Sequence, residues 1–291
     1  MNGVTLFLLI SSVVCSTARA VFSKKLGVLN GSKYGFYITQ TVLFAVAAAM
    51  ILVLNFKSIG CPSVTAVILA VAYGIFTVSS QWTYTIALTK APVSVCAMVY
   101  SFGFIIPTVF GTVLWHEQVN AFKIISILLC ICTIILTSVK KDDNSEKMHR
   151  LPFSLIVAML SSGGLGVVQK LQQKTAARDE TGMFLFLAFL LAAFLSLTAS
   201  FTKREKDAQK ICIDSALAFY IFIVGVSMAV ANTANTILAG LLPSAVVFPI
   251  VNVGAILASL LVSVIILRER ISKNQIAAFG LGITAILLFN L

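Results

Sequence analysis

From Val93 to Trp115 the chain runs 23 residues without a charged side chain. Such a run cannot cover a water-facing surface. Its length suits an α-helix crossing the hydrocarbon core of a bilayer, which takes about 20 residues. In lipid, backbone N–H and C=O groups have no water to bind, so a spanning run has to satisfy them internally as a helix. Similar apolar runs recur along the chain. The expected helices are Gly3–Phe22, Tyr34–Phe56, Val64–Leu88, Val93–Trp115, Ala121–Val139, Phe153–Lys170, Met183–Phe201, Ser215–Ala239, Ala245–Leu267 and Asn274–Leu291. The reading is an all-α integral membrane protein with ten transmembrane helices, multi-pass in the cell membrane. Only 11% of the residues are charged, against roughly a quarter in soluble domains. The first run ends in small residues that resemble a signal-peptide cleavage site. No Lys or Arg precedes it, as a signal peptide requires, so it is read as the first spanning helix.

The chain has 21 Lys and Arg against 10 Asp and Glu. These basic residues sit in short loops, where they set orientation rather than bind nucleic acid. The loops joining helices 1–2, 3–4, 5–6, 7–8 and 9–10 hold 16 of them, counting Arg19, and the other loops hold 5 (Lys57, Lys123, Lys170, Lys174 and Arg178). The positive-inside rule then places the first set in the cytoplasm and both termini outside. Six cysteines are scattered mostly through apolar runs without metal-ligand spacing, and they read as small buried hydrophobes. His116 and His149 lie far apart, and no phosphate-binding loop is present. No metal, cofactor or catalytic residue is expected.

The stretch Ala91–Glu117 has a second version in Leu242–Glu269. Each has a proline followed by small residues (Pro92-Val93-Ser94, Pro243-Ser244-Ala245), a long apolar run with one internal proline, and a closing glutamate. The halves align at an offset near 150, where Ser11-Ser12 meets Ser161-Ser162 and Arg19 meets Gln169. At an offset of 151, Gln81 meets Asn232, Tyr84 meets Asn235 and Ser101 meets Asn252. The division is a first five-helix repeat over 1–139, a charged linker over 140–151 and a second repeat over 152–291. An odd helix number makes the second copy enter the membrane from the other side. Inverted repeats of this kind build one midplane site that opens to either face.

The segments PVSVCAMVYSFGFIIPTVFGTVLWHEQV and PSAVVFPIVNVGAILASLLVSVIILRERISKNQIAAFGLGITAILL resemble the drug/metabolite transporter superfamily, EamA type. The second is the better match, with its E-R-x-S-x-x-Q and the following G-x-G helix. The first half departs from the pattern: helix 5 has no glycine pair, and Ser16-Thr17 stands where such proteins often carry Trp-Gly. The resemblance implies ten helices around a central cavity and movement of small metabolites or drugs by alternating access. It also implies cytoplasmic termini, opposite to the charge count.

Polar groups inside spans are expensive and usually functional. All ten acidic residues lie in loops or at helix ends, which disfavours a carboxylate-driven cation/proton antiporter. Arg19 and Lys170 could pair with a substrate carboxylate or phosphate, the latter behind a flexible Gly163-Gly164-Leu165-Gly166. Gln81 and Tyr84, and Asn232 and Asn235, lie three apart and so share a helix face. Tyr100, Ser101 and Asn252 add further hydrogen-bonding groups. The candidate substrate contacts are thus Arg19, Gln81, Tyr84, Tyr100, Ser101, Asn232, Asn235 and Asn252, with Trp82, Tyr37 and Tyr73 as aromatic walls. The bland alternative is that the amides and hydroxyls join helices to one another. Glu117 and Glu269 read as helix-end fasteners, accepting from free N–H groups at the start of the next helix. Pro107 and Pro249 fall at different depths in the two copies, and that asymmetry marks the expected hinge.

The reading is a secondary transporter, not an enzyme. Its partners are membrane lipid and a small-molecule substrate. Amides, tyrosines and one arginine favour an amino acid or similar zwitterion. Sugars, nucleosides and drugs are the rivals, and a non-transporting scaffold or receptor is the alternative of another class.

Overall fold

The computed structural model describes residues 2–29, 33–56, 60–88, 96, 99–118, 120–138, 153–202, 215–265 and 273–288. The expected linker 140–151, His149 and Glu269 lie outside the described residues. Among those described there is no strand. The α-helices are α1 (Gly3–Leu29), α2 (Lys33–Leu54), α3 (Val64–Leu88), α4 (Ile105–Trp115), α5 (Ala121–Ser138), α6 (Phe153–Lys174), α7 (Thr181–Thr202), α8 (Ser215–Leu241), α9 (Ser244–Ile265) and α10 (Lys273–Leu288). Among the described residues six helical segments are long and apolar enough to cross a membrane, and four more are shorter apolar helices, Val99–Trp115, Ala121–Leu136, Ser244–Ala258 and Ile276–Leu288. These agree with the ten expected spans.

One span departs from a simple helix. A 3-10 turn at Phe102–Phe104 precedes α4. Pro107 has no N–H to donate to the carbonyl of Gly103, and its ring crowds that carbonyl, so the chain tightens there. Pro249 also lies inside a helix, yet α9 continues past it as regular α-helix.

Two compact units emerge, each drawing on both sequence halves. The first comprises Met1–Val78 and Leu171–Gly240. In it α2 packs along α7, with Phe44 and Phe189 ring centroids 6.2 Å apart. Tyr73 of α3 sets its ring edge-on to Phe184 of α7 at 5.2 Å. Phe22 of α1 meets Tyr220 of α8 at 5.9 Å. Ser63 starts α3: its N–H and hydroxyl both donate to Glu180 Oε2 at 2.9 Å, while its oxygen accepts from the N–H of Ala66. This is an N-cap of the usual kind, with a carboxylate added at the positive helix end.

The second unit comprises Ser79–Lys170 and Leu241–Leu291. Here α4 packs on α9 and α5 on α10, and α9 also touches α5 and α10. The run Gly163-Gly164-Leu165-Gly166, expected to be flexible, is regular helix within α6. A side chain at Gly163 would collide with Ile106, and one at Gly166 would lie 2.8 Å from Pro107. Small residues here let α6 approach α4 closely, as membrane helices commonly do where apolar burial gives no driving force.

Candidate functional site

In the first unit, the face of α8 carrying Asn232 and Asn235 is partly occupied by neighbouring helices. The Asn232 amide nitrogen donates to its own helix at Met228 O, 2.7 Å away, and its oxygen accepts from the hydroxyl of Tyr73 on α3. Both ends of that amide are therefore engaged. Tyr73 is fully buried, and its hydroxyl joins α3 to α8. Asn235 accepts from the hydroxyl of Ser12 on α1. Its amide nitrogen has no hydrogen-bond partner among the described residues. Arg19 lies half-buried on α1.

In the second unit, Tyr84 of α3 and Tyr100 form a tilted aromatic pair with centroids 4.7 Å apart. The Tyr100 hydroxyl is 3.0 Å from the Ser80 hydroxyl. Tyr84 and Met159 pack on a small buried cluster of Ala87, Cys96, Val99 and Leu155. Gln81 and Ser101 are buried. Asn252 of α9 is half-buried and donates to Phe248 O at 2.8 Å, leaving its carbonyl oxygen unengaged among the described residues. Ser79 and Ser161 tie α3 to α6 at 2.9 Å.

Glu117 and Lys170 make the strongest polar constellation in this unit. Lys170 Nζ lies 2.7 Å from Glu117 Oε1, with side-chain exposures of 3% and 10%. The same Nζ donates to Leu242 O at 2.9 Å. The N–H of Ser244 donates to Glu117 Oε2 at 2.7 Å, and the Ser244 hydroxyl donates to Oε1 at 3.4 Å. Glu117 is thus a helix-end fastener, as its position suggested, but the helix start it serves is α9. The next helix in sequence, α5, has its own cap, the Asn120 side chain accepting from the N–H of Lys123 at 2.9 Å.

Two backbone details place the glutamate. His116 ends α4 in the left-handed region at φ 49°, and the N–H of Glu117 then donates back to Gly111 O at 3.2 Å. A Cβ at Gly111 would lie 2.6 Å from Glu117 Oε2 and 2.7 Å from Ser244 Cβ. Only glycine leaves room for the carboxylate and the start of α9. Sequence reading offered Lys170 to a substrate anion; in the structure an internal carboxylate holds it.

A groove of about 620 Å³ lies on the first unit, lined by Thr41, Val67, Ala70, Leu187, Leu191 and Phe194 among others. The Thr41 hydroxyl already bonds to Tyr37 O at 2.9 Å. The groove holds none of the expected site residues, and its apolar walls suit lipid chains better than a polar ligand.

Residues 152–291 match the profile of the EamA-like transporter family. None of the curated proteins matches the chain in sequence. One of the 28 solved chains that match in fold, described as "Crystal structure of protein", superposes with a TM-score of 0.76 at 13% identity, over 99% of this chain and 96% of that one. At that identity the likeness is one of fold. It extends across both halves, whereas the family profile covers only the second.

Proposed function

From the match of residues 152–291 to the EamA-like transporter family, we propose that this chain is a secondary active transporter working by alternating access. The family match supports a membrane transporter of small molecules, and we infer an amino acid or similar zwitterion as its substrate. The observation that carries the mechanism is the packing of helices of equal rank. Within the first unit the second helix of one half packs on the second helix of the other, α2 on α7. Within the second unit the fourth and fifth do the same, α4 on α9 and α5 on α10. Two inverted copies of one five-helix repeat lead to such pairing, and inverted repeats serve alternating access. Together with the sequence alignment, this supports 1–139 and 152–291 as the two copies.

The proposed substrate contacts are Arg19, Gln81, Tyr84, Tyr100, Ser101, Asn235 and Asn252. Asn232 belongs with them by sequence, although its amide is satisfied by Tyr73 and Met228. Asn235 keeps an amide donor and Asn252 an amide acceptor available, which suits hydrogen bonding to a ligand without net charge. Arg19 supplies the cation that a carboxylate needs. Sugars, nucleosides and neutral drugs use the same amides but not the arginine.

The purified protein is screened by thermal shift against amino acids, sugars, nucleosides and cationic drugs, because a ligand that binds the native state raises its apparent stability. Hits are then tested for uptake in proteoliposomes with wild type, Asn235→Ala and Tyr84→Ala. The reading expects a zwitterionic hit whose uptake falls at least about tenfold in both variants at matched protein level, the loss of about 1.4 kcal/mol of binding. Wild-type uptake in both variants would remove these residues from the site. A scaffold or receptor would give no uptake of any hit.

A further inference from the structure

The pair Glu117–Lys170 is out of keeping with its surroundings. It is buried in an apolar chain, and a buried ion pair contributes little to stability compared with apolar residues of similar volume. Its better-attested use is in fixing a register or making a switch. Here one carboxylate draws together three elements: the end of α4, the body of α6 and the start of α9. The pair also reaches Leu242 and Ser244, at the beginning of α9. The backbone is shaped for it, with His116 turned left-handed and Gly111 stripped of a side chain at the point of contact.

Resting on the transporter reading, we propose that the Glu117–Lys170 pair is a latch. It closes the start of α9 against α4 and α6 in one state of the transport cycle and opens in the other. Apolar contacts can slide with little change in energy. A pair held at 2.7 Å, with a backbone N–H donating to its carboxylate, is either made or lost. Opening lets water reach both charges, and the hydration regained offsets the attraction given up. The two states can therefore lie close in free energy, within the range that a ligand's differential affinity can shift.

The test uses the full chain in lipid nanodiscs, its native cysteines replaced and a single cysteine placed at Ala245, which is 1% exposed. The labelling rate with a water-soluble maleimide is compared between the parent and the double variant Glu117→Gln/Lys170→Met. That variant removes both charges together, so neither is left buried alone. The latch predicts labelling about tenfold faster in the double variant, with unchanged size-exclusion profile. Equal rates in the two folded proteins would overturn it and leave the pair as a static fastener. If the double variant does not fold, Lys170→Gln, which keeps a donor for Leu242, is read by the same two outcomes. Labelling needs no substrate. A blank substrate screen with faster labelling would count against transport alone, and equal labelling with active transport against the latch alone.

Discussion

The Tyr73 hydroxyl on α3 donates to the side-chain oxygen of Asn232 on α8, and that same amide donates to Met228 O. One side chain thus closes a chain of hydrogen bonds across two helices, with Tyr73 fully buried and Asn232 half-buried. Tyr73→Phe removes the donor and leaves the half-buried amide oxygen without it. The expected loss is about 1 kcal/mol of unfolding free energy, read by reversible unfolding in mixed micelles. A double-mutant cycle with Asn232→Leu should recover a coupling of about 0.6–1.7 kcal/mol. Additive losses would mean that the bond contributes nothing.

The tilted pair of Tyr84 and Tyr100 gives a second contrast. Tyr84→Phe keeps the ring on its neighbour, so it should lose less stability than Tyr84→Ala. Tyr84→Ala forfeits the aromatic pair, worth about 0.5–1.5 kcal/mol beyond the buried area. Thermal melts of the two variants side by side separate ring packing from the hydroxyl. A hydroxyl that touches substrate would appear as a smaller ligand-induced rise in melting temperature in Tyr84→Phe than in wild type.

At Gly111 an added methyl would overlap Glu117 and Ser244 at under 3 Å. Gly111→Ala is expected to destabilise the protein by about 1–3 kcal/mol, as overpacking commonly does. A melting midpoint unchanged from wild type would show that the end of α4 can yield without loss.

His116 is the only described non-glycine residue with positive φ. Glycine adopts that conformation without the clash a Cβ meets, while a β-branched residue adopts it with difficulty. His116→Gly should be neutral or slightly stabilising, and His116→Val destabilising by about 1–2 kcal/mol. Matching melts for the two variants would contradict this.

Much of the fold was legible because it depends on local features. Uncharged runs of bilayer length located the helices, and α6 and α7 differ from expectation by only a few residues at their ends. The 3-10 turn before α4 follows from Pro107, but its placement also reflects how Gly103 meets α6. That close approach has no sequence signal beyond small residues. The site was legible in part. Asn232 and Asn235 do share a face, yet their partners Tyr73 and Ser12 lie 159 and 223 residues away. Helical spacing cannot report such distances. Lys170 shows the same limit: beside a glycine run it looked available, and only the folded chain brings Glu117 to it. Glu117 itself was read by its type and position at a helix end, because a carboxylate there has few stable uses besides meeting free N–H groups.

The order in which this pair is synthesised bears on how the chain enters the membrane. Glu117 leaves the ribosome before Lys170, and Leu242 and Ser244 come well after both. A lysine arriving in the bilayer on α6 therefore finds its counter-charge already made. The helix that the carboxylate will later hold at its first N–H is still to be translated. Chains truncated just beyond α6 would contain the complete ion pair, and its neutralised charge could favour insertion of that helix. The start of α9 would then dock onto a pre-assembled acceptor.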